Sequence, residues 1–397
     1  MKHVSRRLEA MDESQTIAMA RKSRELAAQG VDVISLTLGE PDFNTPDFIQ
    51  EAAIEAIRQN YSHYTPISGY LDLRESIARK FKRDNQLDYT ASQIVVSTGA
   101  KQSLANAILA LVDPGDEVIL PTPYWVSYKE MVKLAEGASV FVEATVEQGY
   151  RFTAEQLRRA LTPKSRVLMF SNPCNPSGAV YSRSELEAIA AVVAEHPNLI
   201  VVSDEIYELI RFEGEHVSFA SLPGMYERTV TVNGLSKGFA MTGWRLGYLG
   251  APQWIASACD KLQGQFTSAT CSIAQRAAIA ALEAPPSQVA YMVEAFAKRR
   301  ALTMELLKTV LGFIAGEPGG AFYVFPHIGY WLGRTVEDRV IQTSDDLCMY
   351  LLERAHVGLV PGDAFGSPKA LRISYATSEE RLTVAFERIR LALTPYC

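Results

Sequence analysis

Between residues 90 and 250 the chain repeats one pattern. A short, β-branched apolar run ends in a turn rich in Gly, Pro, Asn or Asp, and helical periodicity often follows. Ile94-Val95-Val96 leads into Ser97-Thr98-Gly99, and residues 117–120 lead into Pro121-Thr122-Pro123. Residues 167–170 lead into Ser171-Asn172-Pro173, residues 199–202 into Ser203-Asp204-Glu205, and Val230-Thr231-Val232 into Asn233-Gly234. Continuous apolar strands alternating with helices predict an α/β fold whose mostly parallel sheet is covered on both faces. Ligands of such sheets bind beyond the carboxyl ends of the strands, so these turns are expected to line a site.

After about residue 290 the texture changes. A long helical stretch over 295–309 precedes isolated strands at 321–325 and 371–375. A last helix, opening at Ser378-Glu379-Glu380, carries Leu382, Ala385, Phe386, Ile389 and Leu393 on one face. The expected organisation is an arm and helix over 1–45, a large domain over 46–289 and a smaller α+β domain over 290–397.

Bulk properties narrow the class. The 397 residues are 48% hydrophobic and 21% charged, with net charge −6, which disfavours a nucleic-acid surface. Met1-Lys2-His3 opens without an apolar signal segment, and no apolar run approaches a membrane span. Cys174, Cys259, Cys271, Cys348 and Cys397 are scattered, without a CxxC pair. A reducing, cytoplasmic setting is expected, with no metal site or disulfide framework.

The strand-end residues form a chemically coherent set. Gly99-Ala100-Lys101 opens a helix over 102–111, where small residues let backbone N–H groups approach a phosphate. Lys101 is unfavourable in a first helical turn unless it faces an anion. Trp125 offers a flat ring for stacking, and the prolines around Asn175 fix its direction. Asp204 ends an apolar strand and needs a cationic partner; Tyr207 follows three residues later. Lys237 lies in Gly234-Leu235-Ser236-Lys237-Gly238, with Arg245 downstream. A lysine can lose its proton to form a Schiff base, and Ser236 and Arg245 supply the hydroxyl and guanidinium that a phosphate needs. Arg372, flanked by apolar residues in its strand, calls for a carboxylate. Alone, each has a plainer reading: a surface lysine, a packed aromatic, a structural turn, a helix cap, an internal ion pair. Together they supply the parts of a pyridoxal 5′-phosphate (PLP) site: an amine on Lys237, an acid under the ring nitrogen on Asp204, a phosphate cup and a carboxylate clamp.

The segments Gly39-Glu40-Pro41-Asp42, Tyr64-Thr65-Pro66, Asn175-Pro176-Ser177-Gly178, Ser203-Asp204-Glu205-Ile206-Tyr207, the Lys237 segment, Pro361-Gly362-Asp363-Ala364-Phe365-Gly366 and Arg372-Ile373-Ser374 resemble those of class I aminotransferases of fold type I. The resemblance covers nearly the whole chain. It implies a seven-stranded sheet, a homodimer with shared sites, Tyr64 reaching the partner's phosphate, Gly39 at the substrate, and amino-acid and 2-oxo-acid substrates. The chain is most similar to bacterial aspartate aminotransferases and the related aspartate/prephenate aminotransferases. That branch implies Thr16 and Lys101 as holders of a distal carboxylate. Its prephenate-active members often carry a basic residue just ahead of the threonine. Here the run is Met11-Asp12-Glu13-Ser14, which ranks aspartate before prephenate.

Rival readings are a β-lyase on the same fold, a PLP-binding protein without catalysis, and a serine hydrolase. The last would use Ser236 of Gly-x-Ser-x-Gly with His327 or His356 as base. No GxGxxG follows a strand, which disfavours a dinucleotide-dependent dehydrogenase.

Overall fold

The computed structural model describes residues 4–396; the Met1-Lys2-His3 opening and Cys397 lie outside the described residues. Its main sheet has seven strands: β1 (Ile94–Ser97), β2 (Glu117–Thr122), β3 (Ala138–Glu143), β4 (Ser165–Ser171), β5 (Ile200–Asp204), β6 (Thr229–Gly234) and β7 (Gly247–Gly250). The spatial order is β1-β7-β6-β5-β4-β2-β3, and only β7 runs antiparallel to its neighbours. Alternate side chains of each central strand enter different cores. Val167, Met169 and Val202 pack on one side with Leu104 and Ile108. Leu168, Phe170 and Val201 pack on the other with Leu186 and Ile189. Burial on both faces is why these strands read as unbroken apolar runs.

Helices complete the layers: α1 (Gln15–Ala28), α2 (Leu71–Asn85), α3 (Ala100–Leu111), α4 (Ser127–Leu134), α5 (Arg183–Ala194), α6 (Gln253–Phe266), α7 (Ala290–Leu307) and α8 (Glu379–Leu393). Helix α3 begins two residues earlier than the sequence suggests, directly after Gly99, whose φ of 82° suits glycine. Helix α8 starts as its sequence predicts, with the Ser378 hydroxyl accepting from the Arg381 amide. Its five predicted core residues are all buried, and the four larger ones, Leu382, Phe386, Ile389 and Leu393, each stabilise the fold by about 1.5–3 kcal/mol.

A smaller sheet has the order β9-β10-β8, all antiparallel, from β8 (Tyr323–Val324), β9 (Val360–Pro361) and β10 (Leu371–Ser374). Strand β10 is central, with Arg372 opposite Val360 and Ser374 opposite Tyr323. The segment after α1 joins this part of the molecule, because Ile34–Ser35 pairs in parallel with Val357–Gly358. No helix among the described residues is long and apolar enough to cross a membrane.

Candidate active site

The carboxyl ends of β1, β2, β4, β5 and β6 reach one rim of the main sheet. Because β7 is antiparallel, its amino end, and Arg245 just before it, come to the same rim. Gly247 opens that strand against the Gly99–Ala100 backbone, where a Cβ would collide. The rim encloses a cavity of about 270 Å³. Gly39, Ala100, Lys101, Trp125, Asn175 and Asp204 line it, as do Tyr207, Ser236, Lys237, Arg245, Arg372 and Thr16. Gly99 lies at its edge, beneath the Arg245 guanidinium.

Burial strongly perturbs both Lys237 and Asp204. Burial pushes the Lys237 amine down to about 8, and the Arg372 charge assists. Its Nζ donates to the Gly39 carbonyl at 2.5 Å. Burial pushes the Asp204 carboxyl up to about 6, against the opposing hydrogen bond from Tyr128. The Tyr128 hydroxyl donates to Asp204 Oδ2 at 2.7 Å, and the Ile206 amide donates to Oδ1 at 3.3 Å. Both charged forms are disfavoured in the chain alone, a condition expected of groups that meet a charged ligand.

Arg372 is 1% exposed. Its Nη1 donates to Asn175 Oδ1 at 3.0 Å and its Nη2 to the Thr37 carbonyl at 2.5 Å. The guanidinium stacks on Tyr323 and Phe365. Among the described residues no carboxylate pairs with it, and its Nε has no hydrogen-bond partner. A buried cation without an anion is costly, and a ligand carboxylate removes that cost. Thr16 Oγ1, also on the cavity wall, is buried without a hydrogen-bond partner among the described residues.

Lys101 Nζ, also on the cavity wall, lies 4.8 Å from the centre of the Trp125 ring. The residue is exposed overall. Its amine is nevertheless enclosed enough that desolvation, then the Arg245 charge, holds it below its ordinary value. Arg245 adopts a left-handed conformation with φ 54° and donates Nη1 to the Thr242 carbonyl at 2.8 Å.

Four further placements bear on the sequence reading. Tyr207 lies in a turn, and its hydroxyl shares a 2.7 Å hydrogen bond with the Tyr323 hydroxyl. Tyr64 is not in the cavity; it is 99% exposed beside Cys271 and Ser272. Asp12 does not face the cavity. Its carboxylate pairs with Lys133 at 2.7 Å and Lys129 at 3.4 Å on α4. Neither His327 nor His356 lines the cavity with Ser236, which removes the base that a serine hydrolase needs.

Sequence reasoning missed Tyr128 and Tyr323. Tyr128 had a usable signal: it follows Trp125 by three residues, so both share one side of the α4 entry, and the rings meet edge to face at 5.6 Å. Tyr323 had none, because only the pairing of β8 with β10 brings it to Arg372.

A family model described as "Aminotransferase class I and II" matches residues 31–389. A "Bifunctional aspartate aminotransferase and glutamate/aspartate-prephenate aminotransferase" of Petunia hybrida is 48% identical over 98% of this chain and 82% of its own length. An "Aspartate/prephenate aminotransferase" of Nitrosomonas europaea is 42% identical over 98% of this chain and 100% of its own. The structure of the aspartate aminotransferase from Thermus thermophilus with maleate superposes with a TM-score of 0.93 at 43% identity, covering 99% of this chain and 100% of that one. With Lys237, Asp204 and Arg372 gathered in one cavity, and a match along almost its full length, the chain belongs to the class I and II aminotransferases.

Proposed function

We propose that the chain transfers the amino group of L-aspartate to 2-oxoglutarate, giving oxaloacetate and L-glutamate, with PLP as cofactor. The observation that carries the reading is Arg372: a buried guanidinium, unpaired with any acid among the described residues, in one cavity with Lys237 and Asp204.

The residues present fit PLP. Ser236, Arg245 and the backbone N–H groups after Gly99, at the amino end of α3, would hold its phosphate. Trp125 would stack on its ring, Asn175 and Tyr207 would donate to the phenolic oxygen, and Asp204 would face the ring nitrogen. Lys237 would bind it covalently. When bound, PLP supplies an electron-accepting ring that stabilises negative charge at the substrate's Cα.

The chain's own work is positioning and proton transfer. Arg372 binds the α-carboxylate, with Asn175 steadying one arm of its fork. Lys101 and Thr16 bind the distal carboxylate, which selects dicarboxylic substrates. An amine whose proton affinity lies near 8 has an appreciable neutral fraction at pH 7–8, so Lys237 can take the proton from Cα and return one. Gly39, whose carbonyl accepts from that amine, directs it.

Two copies would form a homodimer, with Tyr64 of each serving the other's phosphate. An aromatic residue left 99% exposed in the single chain supports that reading. We place the boundaries at 1–45, 46–289 and 290–397, and the protein in the cytoplasm, where its cysteines would stay reduced. A second substrate, prephenate, is favoured by the names of the Petunia and Nitrosomonas relatives. Because the Asp12 charge is directed onto α4 lysines, it does not oppose an anion in the cavity.

The test mixes holoenzyme with aspartate or arogenate and follows the cofactor spectrum. Borohydride reduction before digestion should leave the pyridoxyl group on Lys237. A colourless protein after PLP incubation, or an adduct on another lysine, would refute the reading.

A further inference from the structure

We infer that Asp12 is a specificity-determining positioning residue: it ties the strap that carries Thr16 to helix α4, fixing the cavity's distal end. The inference rests on the functional reading above and adds a residue that does not touch the substrate.

Asp12 lies just before α1, in the segment that leads to Ser14, Thr16 and Ile17, all three on the cavity wall. It binds α4 through both its backbone and its side chain. Its amide donates to Glu130 Oε2 at 2.9 Å, and its carboxylate accepts from Lys133 at 2.7 Å and Lys129 at 3.4 Å. Glu130 and Lys133 pair with each other at 3.1 Å, so Asp12 completes a four-residue charge network. A second tie runs from Arg7 to Glu136, just beyond the end of α4, at 3.7 Å.

Helix α4 is itself a wall of the site. It follows Trp125 and carries Tyr128, whose hydroxyl meets Asp204. The Asp12 network therefore clamps the strap to the element that holds Trp125 in place, and Trp125 is the ring under Lys101. Thr16 reaches the cavity with its hydroxyl buried and without a hydrogen-bond partner among the described residues. A hydroxyl held that way gains a hydrogen bond only if a ligand acceptor arrives, and it must be held in register to meet one. The Lys133 hydrogen bond, the largest cause, also keeps the Asp12 carboxyl below its ordinary value. The tie is therefore intact throughout the neutral range.

The pairs are solvent-exposed, and such pairs are individually weak. Loosening the strap should therefore shift substrate recognition modestly and selectively. Asp12→Lys is expected to raise KM for aspartate about 3- to 5-fold, with kcat little changed. Both constants for alanine, which has no distal carboxylate, should stay at wild-type values. The double variant Asp12→Lys/Lys133→Asp rebuilds the pair with reversed charges and should recover the aspartate KM; a mere loss of helix packing would not be rescued that way. Equal KM increases for aspartate and alanine, an unchanged aspartate KM, or failure of the double variant to recover would each overturn the assignment. Wild-type protein that fails to transaminate aspartate at all would instead overturn the functional reading on which this rests.

Discussion

Asp204→Asn should make the cofactor-free protein more stable at pH 7, although it should disable the enzyme. Burial raises the Asp204 carboxyl from its ordinary 3.8 to about 6. Between those values the folded chain holds a proton that the unfolded chain has released, so stability falls as pH rises through this window. Above about pH 6 the whole cost is present. At about 1.36 kcal/mol for each tenfold change in proton affinity, it comes to about 3 kcal/mol. Asparagine never ionises, and its Oδ1 can still accept from the Tyr128 hydroxyl. Its amide then faces the Ile206 N–H, so the 3.3 Å bond there is lost, costing about 1 kcal/mol. About 2 kcal/mol of net stabilisation remains at pH 7, and well below pH 4 the variant is the less stable by about 1 kcal/mol. For a chain of this length that is about 2–3 °C in Tm. Thermal melts of both cofactor-free proteins at pH 4 and pH 7 measure it. Adding PLP should reverse the order, because only the carboxylate can pair with a protonated ring nitrogen. Equal Tm values at pH 7, or an offset that does not change with pH, would refute the claim that Asp204 is buried against its charge.

Arg372→Ala should lower kcat/KM for aspartate by about 2–5 kcal/mol, the cost of breaking a buried charge pair; an unchanged value would take Arg372 out of substrate binding. Lys101→Ala should impair aspartate and glutamate far more than alanine, and equal losses in parallel steady-state assays would show that Lys101 does not read the distal carboxylate. Tyr128→Phe removes a charge-assisted hydrogen bond worth about 1.5–3 kcal/mol to the carboxylate. It should move the acid limb of PLP affinity upward by about one to two pH units, as read by fluorescence titration; an unmoved limb would mean that Tyr128 does not support the ionised Asp204.

Most of the cavity was legible because of how parallel sheets are built. Their central strands are apolar throughout, so the first polar residues after each run mark the strand ends, and the strand ends are the site. Asn175, Asp204 and Lys237 were found that way. Strand β7 was not, because two of its four residues are glycines, which carry no apolar pattern. Edge strand β3 has only one buried residue, Val142, and so gives no continuous apolar signal. Tyr323 reads as one more core aromatic until the β8–β10 pairing is known. The Asp12 charge was visible, but its direction depends on the position of α4, to which no local pattern points. Tyr64 was recognised only through resemblance, and its exposure in the single chain explains why: whatever gives it a role lies outside the chain's own packing.

The turn after β5 explains how two cavity-lining side chains can be held so firmly at a strand end. Asp204 and Tyr207 face the cavity, while Glu205 and Glu208, also buried, face the opposite way. Glu205 Oε1 accepts from the Ser203 and Ser218 hydroxyls at 2.8 and 2.9 Å and from the Phe219 amide at 3.2 Å, and His216 Nε2 lies 2.9 Å from its Oε2. Glu208 pairs with Lys80 of α2 and accepts from Asn85 at 2.8 Å. Burial alone would raise the Glu208 carboxyl, but the Lys80 charge, with His216 and Asn85, brings it below its ordinary value. Behind the site, then, buried acids are satisfied by partners on α2 and the 213–219 loop. In front of it, neither Asp204 nor Arg372 forms a salt bridge among the described residues. The same short segment thus spends its hydrogen bonds on anchoring one side and leaves its unpaired charge on the other, and that asymmetry is what a ligand-binding turn requires.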